Sequence, residues 1–215
     1  MTKLLAILAL ALGFTALTEA EPDRLHARYI SPGAQVERYP DVSPGDPNFA
    51  ELKLLVEHYG VGFALSDGKF HGELPITRGE VACFLLQSLE NVDKMAASLP
   101  VTHEWPRYSL YPTSNGERPR DLKGVYPYTK AVDRLQRKYH INLKESDGLL
   151  HGDEPATQRE VFACLRGRLR YNRSSDRLDA QQPVTRWDFA HALGDALDDH
   201  YMLLVEKAES RHWMP

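Results

Sequence analysis

Apolar residues recur at helical spacing in several separate stretches of the chain. Phe49, Leu52, Leu55, Val56 and Tyr59 form one stripe, and Ala131, Val132, Leu135 and Tyr139 form another. Gly60 follows the first stripe where a C-cap glycine would stand. Longer stripes start after Thr77 (Val81, Leu85, Leu89, Val92) and after Thr185 (Phe189, Leu193, Ala196, Leu197). Between the two kinds of stripe lie Ser66-Asp67-Gly68 and Ser146-Asp147-Gly148, whose Asp-Gly pairs favour tight turns because glycine tolerates positive φ. The pattern predicts a mainly α fold of helix-loop-helix units. A different apolar run, Leu4 to Leu17 apart from the small Thr15, follows Lys3 and precedes Thr18-Glu19-Ala20. It is short for a membrane span and reads as a secretory signal peptide cut after Ala20, with no transmembrane segment expected afterwards.

The units are copies of one another. Shifting the chain by 80 places Asp41 to Leu85 over Asp121 to Leu165 without a gap, and 14 of the 45 positions are identical. A third, partial copy lays Pro183 to Phe189 over Pro75 to Val81, with Leu193 on Leu85, and lacks a recognisable first half. The organisation expected is a signal peptide (1–20), a polar lead-in (21–38), repeat one (39–93), a connector (94–120), repeat two (121–172) and a truncated repeat three with a C-terminal helix (173–215). The connector holds Pro100, Pro106, Pro112 and Pro119 among Trp105, Tyr108 and Tyr111, which excludes a long helix there.

Charge and composition narrow the function. The 26 Lys and Arg against 30 Asp and Glu give a net charge of -4 with no basic cluster, so no nucleic-acid partner is expected. Cys83 and Cys164 are the only cysteines; buried free thiols are expected, and no metal spacing is present. His71 and His151 share one loop position and are expected to hydrogen-bond locally rather than bind a metal. No nucleophile-base arrangement, phosphate loop or metalloprotease motif appears, so neither an enzyme nor a cofactor is expected.

The helix starts carry the remaining signal. Thr77 with Glu80 and Thr157 with Glu160 have capping-box spacing, and Thr185 with Asp188 is a weaker version with a shorter acid. These caps explain the threonines and acids but not the arginine in each first turn: Arg78, Arg159 and Arg186. A cation there opposes the helix dipole by about 0.3–1 kcal/mol when exposed. Two readings follow. Free amides plus a guanidinium suit an anion, or each arginine forms a salt bridge to a neighbouring repeat.

Tyr39-Pro40-Asp41-Val42, Val56-Glu57-His58-Tyr59-Gly60-Val61, Ser66-Asp67-Gly68-Lys69-Phe70-His71-Gly72 and Ile76-Thr77-Arg78-Gly79-Glu80-Val81, taken in order, resemble a surface-layer homology (SLH) repeat. The wording is most similar to the version in cyanobacterial outer-membrane porins. The resemblance implies a three-pronged, pseudo-three-fold module in the periplasm or cell envelope. Such a module binds peptidoglycan-linked polysaccharide, often through a pyruvylated sugar, and anchors what it belongs to. It also implies that the Thr-Arg arginine contacts the glycan, which carries over to Arg78 and Arg186. Copy two has Gln158 there, with Arg159 one place later and about 100° round the helix. The competing expectation is an exported module that binds another envelope protein, with the arginines used between repeats and the connector aromatics facing the partner.

Overall fold

In the computed structural model, residues 35–63, 67–99, 117–124, 126, 128–169 and 181–212 are described. The expected signal peptide, most of the lead-in, and Trp105, Tyr108 and Tyr111 lie outside them. The regular elements are helices: α1 (Phe49–Lys53), α2 (Arg78–Ala96), α3 (Thr129–Tyr139), α4 (Gln158–Leu169) and α5 (Arg186–His212). None among the described residues is long and apolar enough to cross a membrane.

The stripes read from the sequence form one continuous core. Val81, Leu85, Leu89 and Val92 of α2 and Phe189, Leu193, Ala196 and Leu197 of α5 are all buried, as are Ala131, Val132, Leu135 and Tyr139 of α3. The first stripe departs from a single α-helix. After Lys53 the chain widens into a π-helical turn, Leu54–His58, because the Tyr59 amide reaches back five residues to the Leu54 carbonyl. Gly60 then turns at φ 65°, the C-cap role expected of it, and the Val61 amide closes on Leu55. Copy two stays α-helical and places His140 at the equivalent left-handed position, φ 55°. The end of the lead-in is also ordered: Val36, in a short 3-10 turn, is fully buried and its amide donates to Glu57.

First helices pack against second helices of other copies, α1 on α5 and α3 on α2, and the second helices α2 and α4 both meet α5. The three stretches just before the second helices meet one another directly. Antiparallel bridges join Pro75 to Thr185, Thr77 to Pro155 and Thr157 to Pro183. The hydrogen bonds run in a closed cycle: Ile76 N donates to Val184 O (2.9 Å), Val184 N to Ala156 O (3.0 Å) and Ala156 N to Ile76 O (2.8 Å). All three residues are buried, so each backbone group obtains from a neighbour the partner that water cannot supply.

Candidate functional site

Around this cycle stand the three helix starts. Thr77 makes a complete capping box: its hydroxyl accepts from the Glu80 amide (3.2 Å) and its amide donates to Glu80 Oε2 (2.9 Å). Thr157 and Glu160 repeat this at 3.4 and 2.8 Å. At the third start Thr185 accepts from the Asp188 amide (3.1 Å), while the shorter Asp188 carboxylate takes the Thr185 hydroxyl.

The expectation of free amides at these termini is not met. Arg78 N donates to Glu154 O, Gln158 N to Gln182 O and Arg186 N to Leu74 O, all at 2.9–3.0 Å, and Gly79 N and Trp187 N donate to Gly152 O and Gly72 O. The physical reason is the ring itself, because the loop of one copy lies across the helix start of another and uses its orphan donors. Close approach requires glycine: a Cβ at Gly72 would fall 2.0 Å from Trp187 Nε1.

Arg186 is 1% exposed, and the structure places it inside the molecule rather than facing a ligand. Its Nε donates to the Phe70 carbonyl (2.7 Å), its Nη2 to the Phe63 carbonyl (2.5 Å), and its Nη1 pairs with Glu80. Its guanidinium also lies 5.6 and 5.4 Å from the ring centres of Phe70 and Phe84. The capping glutamate of copy one therefore has two duties, one oxygen on its own helix and one on the arginine of copy three.

Arg78 repeats the arrangement one junction on, with more room. Its Nε and Nη2 make a bidentate pair with Glu160 (3.2 and 2.9 Å), and Glu145 (3.0 Å) and Glu154 (3.1 Å) complete a ring of carboxylates. Burial alone would lower the arginine's pKa; Glu160, Glu145 and Glu154 outweigh it, and the net shift is upward. Burial moves Glu145 upward in spite of Arg78. A cleft lined by Arg78, Val81, Leu143, Leu150, Ala156, Glu160, Val161 and Cys164 opens here. Leu143, Leu150 and Cys164 stand 80 positions after Phe63, Phe70 and Phe84. The cleft thus lies where smaller residues replace Phe70 and Phe84, whose rings flank Arg186, and Phe63, whose carbonyl accepts from it. The Arg78 side chain is 14% exposed.

At the third junction the cation is missing and the acid is one methylene shorter. Gln158 replaces the arginine, Asp188 replaces the glutamate, and Gln158 makes a long contact to Gln182 (3.4 Å). Arg159, one place on, is exposed. Of the three arginines singled out, two are brought to inter-copy pairs and the third stands at the surface.

The Asp-Gly loops are held by the aspartates that open the two full copies. Asp41 accepts the amides of Phe70 (2.9 Å) and His71 (2.7 Å), and Asp121 those of Leu150 and His151 (both 2.8 Å). For Asp41 burial works upward, but these amides prevail and its pKa is lowered. His71 and His151 hydrogen-bond Asp67 and Asp147 at 2.6 Å, each with φ near 54°, in agreement with their expected local role. Both Asp41 and Asp121 were visible as identical positions of the repeat. Both Cys83, partly buried, and Cys164, buried, are free thiols. No family model, curated protein or solved structure matches this chain.

Proposed function

We propose that this chain is a non-catalytic, exported module of the cell envelope. It is built from SLH-like repeats in a pseudo-three-fold arrangement and holds peptidoglycan-linked polysaccharide. The observation that carries the reading is the closed cycle Ile76, Val184, Ala156, since a ring of three helix starts is what a three-pronged module needs. The Arg78 cleft, at about 20 Å³ roomy enough for about one water, is the place for a single hydroxyl of a sugar. One guanidinium among three carboxylates leaves it net negative, which favours the hydroxyl face of an uncharged sugar over a pyruvylated one. Arg159 is an exposed first-turn cation that can meet an anionic group elsewhere on the glycan.

Sedimentation with peptidoglycan sacculi tests this, before and after mild acid removes attached polysaccharide. Binding to untreated sacculi and its loss after acid is the expected result. The second reading, a module that binds another envelope protein, is favoured by the commitment of Arg78 and Arg186 to acceptors within the chain. Failure to sediment with either preparation would select it.

A further inference from the structure

Away from the ring, the contact of α1 with α5 gathers three potential ligands. His191 and Asp195 are one turn apart on α5 and share a face; Glu51 comes from α1. Gly194 sets the distance between the helices. A Cβ there would already touch the Glu51 Cβ at 3.4 Å, so a longer side chain would push α1 and its glutamate away. Glu51 Oε1 lies 3.3 Å from His191 Nδ1, and Asp195 Oδ2 lies 3.8 Å from His191 Nε2. One donor atom from each of the three falls within 4.8 Å of the other two. The side chains are 21–30% exposed, so the cluster has one side open to water.

We propose that Glu51, His191 and Asp195 form a binding site for a divalent transition-metal ion, with Zn²⁺ the best match. Bonds of about 2.0–2.2 Å place ligand atoms on one ion about 3–4 Å apart. The two carboxylates contact opposite ring nitrogens of His191, only one of which can hold the ion, so the carboxylate at the other must turn towards it, a rearrangement within reach of donors that all lie within 4.8 Å. One imidazole with two carboxylates is a mixed donor set suited to zinc, whereas Mg²⁺ and Ca²⁺ favour oxygen alone. The charges agree as well. A divalent ion balances both carboxylates with the imidazole neutral, while a proton on the imidazole balances only one. The cluster has no sequence signature, because Glu51 and His191 lie at opposite ends of the chain and meet only through the packing of α1 on α5.

Zn²⁺ and Mg²⁺ are titrated into chelator-treated protein by calorimetry, with melting temperature followed in parallel. Glu51→Gln is the decisive variant because it removes one ligand, keeps every histidine and is nearly isosteric; His191→Gln is the second. The expected result is one Zn²⁺ per chain with a rise in melting temperature, no such rise with Mg²⁺, and zinc affinity at least tenfold weaker in each variant. A wild-type melting temperature indifferent to Zn²⁺, or unchanged zinc affinity in Glu51→Gln, would overturn the site. Either result would leave the three side chains as a polar contact between α1 and α5 and nothing more.

Discussion

Arg186 of the third helix start is ion-paired with Glu80 of the first, and Arg78 of the first is paired in the same way with Glu160 of the second. The pairing follows the direction of the ring, each arginine meeting the capping glutamate of the next copy. It lapses at the start of copy two, where Gln158 has no charge to offer and the corresponding acid of copy three is the shorter Asp188.

Removing Arg186 leaves Glu80 and two buried carbonyls without their donor. Arg186→Ala is expected to cost about 3–5 kcal/mol in urea unfolding, the range for breaking a buried pair. Arg78→Ala, whose side chain is more exposed, should cost less, about 1–3 kcal/mol. Equal costs would contradict the difference in burial.

The third junction can be rebuilt. Gln158→Arg with Asp188→Glu restores both partners, and a double-mutant cycle should show favourable coupling of about 0.5–3 kcal/mol. Zero coupling would mean that the starts of copies two and three do not meet as their backbone bond from Gln158 to Gln182 implies.

Gly72→Ala places a methyl group inside the Trp187 ring position. The loop must move, and the Trp187 amide bond to Gly72 with it, at a cost of about 1–3 kcal/mol or more. A melting temperature equal to wild type would contradict the close docking of copy one on copy three.

His151 titrates above its ordinary 6.5, chiefly through its hydrogen bond to Asp147, with Glu154 and Glu145 adding to the effect. The same bond lowers Asp147. The histidine's contribution to stability is therefore complete below pH 6.5 and is lost as pH rises through its folded value. The aspartate's is complete above the usual aspartate range and is lost as pH falls through its own. NMR titration of the His151 ring should give a midpoint above 6.5 that moves down in Asp147→Asn; a wild-type midpoint at or below 6.5 would contradict the pair.

Helix positions, the capping boxes and the repeat were legible because they rest on local periodicity and short spacings. Thr77 and Glu80 needed no tertiary knowledge. The fate of Arg78 and Arg186 did, since a first-turn arginine looks the same whether it faces water or a neighbouring copy, and only the order in which copies meet separates the two. One trace was present: copy two has Gln158 in place of the arginine, and the corresponding acid of copy three is the shorter Asp188. The π-helical turn after Lys53 left no such trace, because the apolar spacing of Leu55, Val56 and Tyr59 suits an α-helix as well. The cleft was also encoded, in Leu143, Leu150 and Cys164 opposite three phenylalanines, but its meaning depended on knowing that two of those phenylalanines flank an arginine.

Entry of a polysaccharide hydroxyl into the Arg78 cleft is the step on which the proposed binding turns. Calorimetric titration of acid-released polysaccharide into wild type, Cys164→Phe and Gln158→Ala tests it most directly, with circular dichroism showing that each variant is folded. Cys164→Phe fills the cleft as Phe84 fills the corresponding space in copy one, without changing charge. Binding at least tenfold weaker in Cys164→Phe, about 1.4 kcal/mol, with Gln158→Ala near wild type, is the expected result. Wild-type affinity in a folded Cys164→Phe variant would contradict it.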